Sequence, residues 1–318
     1  MRMIRDGRMR EPMNRTLHLR RAVSCAAASA AMAWTLGGRA SAHEYWIQPA
    51  TFRPAAGQEI DINLFVGDGL PGEARQRDPD RLIRFDWIRV SDHSSSPSSP
   101  QVISGKQGDT PAGKVRLTSP GLHVIAFRNR PTTITLEPDK FEAYLREDGM
   151  EHVIDLRNKL GESTKPGREA YSRCAKALVA VNGDGRGAQD VRIGLPLEII
   201  PLNNPYRPLE TRHQPAATTQ PATTNAPSHP PVPTRLTFQL LENEKPAAGA
   251  LMAAIWLEKG ESIRRTARTD SDGKASFELS QPGMYVINAV RMTRAKGRDD
   301  VEWESTWSSL TFELPPQK

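Results

Sequence analysis

The chain has 318 residues and a formal net charge of +6, from 43 Lys and Arg against 37 Asp and Glu. Residues 1–42 hold eight Arg and no Lys against one Asp and one Glu, which leaves 35 residues of each sign beyond them. A neutral remainder excludes a general electrostatic case for binding nucleic acid or an anionic membrane surface.

The chain opens with the three parts of a secretory signal peptide. Arg15, Arg20 and Arg21 form a basic segment, Ala22 to Leu36 an uncharged run of mostly small and apolar residues, and Ala40-Ser41-Ala42 an A-x-A cleavage site. The run is shorter than the roughly 20 residues of a membrane span, so no stable span is expected after cleavage. Arg20-Arg21 hints at export of a folded protein, but the flanking residues fit that signal poorly. No apolar run precedes Cys25, which argues against a lipoprotein. Cleavage after Ala42 delivers a periplasmic or secreted protein that begins at His43. Beyond the leader Cys174 is the single cysteine, so no internal disulfide is available despite an oxidising destination.

Residues 43–210 read as a mostly β domain. GQEIDINLFVGD, RLIRFDWIRV, GKVRLTS, GLHVIAFRN and TTITLEP are short β-branched or aromatic runs punctuated by Gly, Pro, Asn and Asp. Ile60, Ile62 and Leu64 alternate with Asp61 and Asn63, as a half-buried antiparallel strand requires. The period changes at Asp139, an expected N-cap with Glu142 three residues on. Phe141, Tyr144 and Leu145, then Val153, Leu156 and Leu160, fall on helical stripes, so a helical insertion over 139–161 is expected. REAYSRCAKALVAV and VRIGLPLEIIP read as closing strands, the first with ambiguous periodicity.

Residues 211–234 are built from Pro, Thr, Ala, Gln and Asn with Val232 as the one large apolar side chain, the composition of an extended linker. His213 and His229 lie there, and His93 lies in the soft segment SDHSSSPSSPQ, all without a partner ligand at fixed spacing. Residues 235–318 carry strand runs at the spacing of an antiparallel sandwich. TDSDGKASF reads as a tight turn at Gly273 and lacks the distal Glu of a calcium loop. The expected fold is mainly β: two antiparallel β-sandwich domains, the first with a helical insertion, the second immunoglobulin-like or transthyretin-like.

No G-x-S-x-G, P-loop, H-E-x-x-H, C-x-x-C or Rossmann glycine set is present, and no enzymatic activity is expected. Cys174 reads as a buried strand residue rather than a nucleophile. His43 is different. A mature N-terminal His offers an α-amine and an imidazole on one residue, and the two nitrogens together chelate borderline ions such as Ni(II), Co(II), Cu(II) or Zn(II). His123 and His152 are the other His in structured segments and the candidate further ligands.

AHEYWIQP, VGDG, RDPDRLIRF, GLHVIAFRNRP, KFEAYLREDGMEHV, GREAYSRCAKALV, LPLEIIP, ARTDSDGKASFELSQPG and WESTWSSLTFEL together resemble domain-of-unknown-function family 4198. Its members are periplasmic proteins labelled nickel or cobalt uptake components. The resemblance covers nearly the whole chain after the leader except the linker. It implies a periplasmic protein with a mature N-terminal His and a role in divalent transition-metal handling; Ni(II) or Co(II) is the expected ligand and an envelope metal transporter the expected partner. Relatives carry His where this chain has Arg291, and a guanidinium cannot ligate a metal. Tyr171, Arg173 and Lys176 match the family pattern without an evident role. Two other functions remain open. Trp303 and Trp307, four residues apart on one strand face, would suit a carbohydrate-binding or adhesion module. A copper oxygenase with an N-terminal histidine brace would need a second His beside His43.

Overall fold

The structure is a computed structural model that describes residues 43–90, 98–206 and 234–316, all within one compact unit spanning Arg39–Lys318. The leader, residues 211–233 of the expected linker, and His93, His213 and His229 lie outside the described residues, and Thr234, the linker's expected last residue, opens a strand. The first half supplies β1 (Glu44–Pro49), β2 (Glu59–Gly67), β3 (Glu73–Arg75), β4 (Leu82–Arg89), β5 (Gln101–Val102), β6 (Gly113–Arg116), β7 (Gly121–Asn129) and β8 (Thr132–Leu136). Two helices follow, α1 (Pro138–Glu147) and α2 (Glu151–Lys159), then β9 (Gly167–Val181) and β10 (Leu197–Pro201). After the linker come β11 (Thr234–Glu242), β12 (Lys245–Pro246), β13 (Leu251–Glu258), β14 (Glu261–Arg268), β15 (Lys274–Leu279), β16 (Gly283–Arg294) and β17 (Trp303–Leu314).

The fold is mainly β, and its sheets pack face to face as sandwiches. The two halves of the sequence, however, share their sheets. A nine-stranded sheet runs β14-β13-β16-β17-β9-β7-β4-β5, with β8 also on β9. Its central joint is a parallel pairing of β17 with β9, from Trp303↔Glu169 to Thr311↔Ala177. A second sheet joins β10, from before the linker, to β11, β12 and β15 after it. A third sheet, β1, β2, β3 and β6, comes wholly from the first half.

The two smaller sheets cover opposite faces of the large one. Leu178 and Ala180 of β9 face a core shared with Ile199, Phe238 and Phe277. Ala175, Ala177, Val179 and Val181 face another, shared with Ile47, Ile62 and Leu64. A strand buried on both faces reads as a continuous apolar run, and this accounts for the ambiguous periodicity of AKALVAV. The helices occur where expected and pack Phe141, Tyr144 and Val153 over Trp303, Trp307 and Met292. Pro138 takes the first turn of α1, Glu137 is the N-cap, and Asp139 lies inside the helix instead of capping it. The Thr269–Phe277 turn is tight as expected. Gly273 has φ +73°, and the Asp270 carboxylate accepts the backbone N–H groups of Asp272 and Lys274.

One buried ion pair ties the large sheet to the β10 sheet. Lys176 Nζ on β9 donates to Glu198 Oε1 on β10 at 2.9 Å, with side chains 2% and 3% exposed. Glu198 also accepts the N–H groups of Ile193, Gly194 and Leu195, so the carboxylate is well satisfied. Removing one partner of a buried pair strands the other charge, whereas exposed pairs contribute little. Lys176→Met is therefore expected to cost about 3–5 kcal/mol in chemical denaturation. Lys114→Ala, which breaks the exposed Lys114–Asp61 contact, is expected to leave the denaturation midpoint nearly unchanged.

Candidate functional site

His43 immediately precedes β1, whose antiparallel register places Glu44 opposite Gly67. His43 therefore stands opposite Asp68, the first residue of the turn between β2 and β3. His43 Nδ1 and Asp68 Oδ1 lie 2.5 Å apart, and both side chains are partly open to solvent. The turn is held by close approaches that demand glycine. A Cβ on Gly69, at φ +123°, would meet Ser262 Oγ at 2.4 Å, and one on Gly72, at φ +69°, would meet the Trp46 ring at 2.2 Å. Ser262 Oγ also accepts the Leu70 N–H at 3.0 Å, pinning the turn to β14. His43 and Asp68 line a cavity of about 480 Å³ with Glu73 and Arg75.

The other expected ligands are elsewhere. His123 is 1% exposed on β7, its Nδ1 is 3.2 Å from the Gly121 carbonyl oxygen, and its ring lies against Trp87 with centroids 5.5 Å apart. Burial pushes its pKa down to about 4, so the ring is neutral. On β9, Arg173 lies over the Tyr45 ring, whereas His123 is paired with Val179. Six residues of extended strand separate those levels by roughly 20 Å, far beyond the reach of a shared ion. His152 on α2 directs Nε2 to the Met292 carbonyl oxygen at 3.1 Å. The expected grouping of His43 with His123 and His152 is thus not formed, because strand register and helix docking send each ring to a different neighbour. Among the described residues no three His, Cys, Asp or Glu side chains form a metal-holding group. The brace loses its second His in the same way. Arg291 is paired with Glu242, Nε to Oε2 3.4 Å.

Two other sequence expectations meet clear outcomes. Trp303 and Trp307 are 1% and 4% exposed. Trp307 stacks on Tyr144, and the Arg294 guanidinium sits over Trp303. Neither ring is available to a sugar. Cys174 is buried, and desolvation pushes its thiol up to about 11, so it is not a thiolate at neutral pH.

A set of buried acids, one of them next to His43 in the chain, was not singled out in the sequence. Glu44 and Asp148 are 6% and 7% exposed and share the guanidinium of Arg264, at 3.6 Å and 3.2 Å. Glu169 is 2% exposed and accepts hydrogen bonds from Tyr144 Oη at 3.1 Å and from Ser305 Oγ. Burial is the leading cause that raises the pKa of all three. Asp68 and Glu147 push Glu44 further up while Arg264 opposes, and its pKa reaches about 7. Glu169 also reaches about 7, against the opposing hydrogen bonds and the charge of Arg173. AHEYW, REDG and GREAY each contain one of these acids, but only the fold brings them behind one sheet end.

Residues 40–214, more than half of the chain, match a family described as a domain of unknown function (DUF4198). No curated protein matches the chain. A solved structure described as a tetra-tandem repeat in the extending region of a large adhesion protein aligns with 86% of this chain and 49% of its own, at 9% identity and a TM-score of 0.19. This chain thus spans about half of that one, and a likeness at that score carries no argument.

The raised acids have a consequence for stability. A carboxyl whose folded pKa exceeds its unfolded value near 4.3 stabilises the fold while protonated. That contribution is complete below the unfolded value and is lost as pH rises through about 7. Thermal unfolding is expected to show a midpoint lower by roughly 5 °C or more at pH 8 than at pH 5. The double variant Glu44→Gln/Glu169→Gln is expected to flatten that dependence, and an unchanged profile would contradict the assignment.

Proposed function

We propose that this chain, which belongs to the family described as a domain of unknown function (DUF4198), is an exported binding protein for a divalent transition metal. The ion is held by the α-amine and Nδ1 of His43 and by the carboxylate of Asp68. Nickel or cobalt is the preferred cargo, copper or zinc the competitors, and an envelope metal transporter the recipient. The observation that carries this reading is the 2.5 Å approach of His43 Nδ1 to Asp68 Oδ1.

Nδ1 is the ring nitrogen that closes a six-membered chelate with the residue's own amine. It is also the nitrogen facing the carboxylate. Two nitrogens and one oxygen suit borderline ions, and solvent access on one side leaves positions for water or an incoming acceptor. Glu73 lines the same cavity and adds a second carboxylate near the ion. The Gly-rich turn supplies rigidity to Asp68, which limits the ordering cost of binding. Because amine, imidazole and carboxylate must all be deprotonated to ligate, acid is expected to release the ion.

Calorimetric titration of Ni(II), Co(II), Cu(II) and Zn(II) into protein whose mass shows a start at His43 tests the reading. A form with one extra residue before His43 is expected to lose tight binding, and Asp68→Ala to weaken it at least about tenfold, or 1.4 kcal/mol. His123→Ala is expected to bind as the parent does. Equal binding by the extended form would remove the terminal amine from the site and with it the proposal.

A further inference from the structure

The Tyr171–Arg173 segment of β9 lines a second cavity, about 210 Å³ in volume, between β9 and the β1–β2–β3 sheet. Three arginines face it: Arg75 at the end of β3, Arg81 just before β4, and Arg173. Asp78 is the one acidic side chain in its wall, so the cavity carries a net charge of about +2. Among the described residues none of the three guanidinium groups has a carboxylate within ion-pair distance.

Arg173 is the most telling of them. Its guanidinium lies between two aromatic rings, 5.0 Å from the centroid of Tyr45 and 4.9 Å from that of Tyr171. Its Nε is buried and has no hydrogen-bond partner. Its two cation–π contacts offset only part of the cost of partly withdrawing the cation from water. Burial, opposed by Tyr171 and Tyr45 and reinforced by Arg75 and Arg81, lowers its pKa. A half-buried guanidinium stacked in place, with its Nε unpartnered and like charges beside it, is half of a recognition site for an oxyanion that accepts two parallel hydrogen bonds.

We infer that the cavity of Arg75, Arg81 and Arg173 binds a small oxyanion of charge about −2 to −3, a di- or tricarboxylate or phosphate. Arg173 presents the fixed fork, Tyr45 and Tyr171 hold it flat, and Arg75 and Arg81 close over the ligand from the β3 side. The site stands apart from metal binding at His43, although Arg75 borders both cavities.

Thermal-shift and calorimetric titrations of the metal-free mature chain, in buffer of low ionic strength, test this with citrate, malonate and inorganic phosphate. At least one of the three is expected to raise the unfolding midpoint in a saturable manner, since a ligand that binds only the folded state stabilises it by RT ln(1 + [L]/Kd). Stabilisation by the carboxylates alone identifies a carboxylate ligand, and stabilisation by phosphate as well identifies a general oxyanion site. Arg75 is exposed and Arg81 half-buried, so Arg75→Gln/Arg81→Gln is expected to fold with an unchanged ligand-free midpoint. Its affinity is expected to fall at least about tenfold. Arg173→Lys, which keeps the charge and removes the fork, is expected to weaken binding too. No stabilisation by any of the three anions, or equal stabilisation of the Arg75→Gln/Arg81→Gln variant, would overturn the inference. Metal-free protein makes the result independent of His43.

Discussion

The parallel pairing of β9 with β17 is the constraint on which the rest of the molecule depends. It runs from Trp303↔Glu169 to Thr311↔Ala177 and joins strands on opposite sides of the linker. A parallel pair cannot be closed by a tight turn, and here the connection includes β10, the linker and six further strands. Its effect is to place two sequence-distant halves in one nine-stranded sheet. Each smaller sheet then has a broad apolar face to cover. The β10 sheet, itself built from both halves, covers one face, and the β1 sheet covers the other.

The same joint organises the charged groups. Glu169 enters β9 opposite Trp303 and is met there by Tyr144 from α1 and Ser305 from β17. Arg264 on β14 reaches Glu44 on β1 and Asp148 after α1. Arg268 on the same strand bonds Glu151 at 2.5 Å and the Gly149 carbonyl. These contacts bind the second-half sheet edge to Glu44, next to His43, and to the turn between α1 and α2. The start of β1 is therefore a fixed point rather than a loose end, and Asp68 meets His43 because β1 and β2 are held in register. The arginine cavity depends on the same arrangement, since Tyr45 of β1 and Tyr171 of β9 form its aromatic walls.

Much of this was legible in the residues, and the limits have physical causes. Strand positions followed from alternation in runs such as EIDINLF, and the helices from their apolar stripes and breaks at Gly149 and Gly161. Pairing did not follow, because β9 and β17 are buried on both faces and neither the apolar run of β9 nor the Ser/Thr-rich β17 says which edge each strand meets. That is why a composition break at residues 211–234 suggested two separate sandwiches while the strands on either side share sheets. His43 was legible through its position directly after the expected A-x-A cleavage site. Its partner Asp68 needed the β1–β2 register, which VGDG alone does not reveal. His123 and His152 were attractive as residue types, but the first is a neutral core ring on β7 and the second serves the Met292 carbonyl. The unpartnered Nε of Arg173 was visible only as part of a patterned segment, since an orphaned donor is defined by what surrounds it.

The central claim, that the two halves form one cooperative body through the β9–β17 joint, is tested most directly by differential scanning calorimetry of the mature chain. A single transition with equal calorimetric and van't Hoff enthalpies is expected. Two separable transitions, one for each side of the linker, would contradict it.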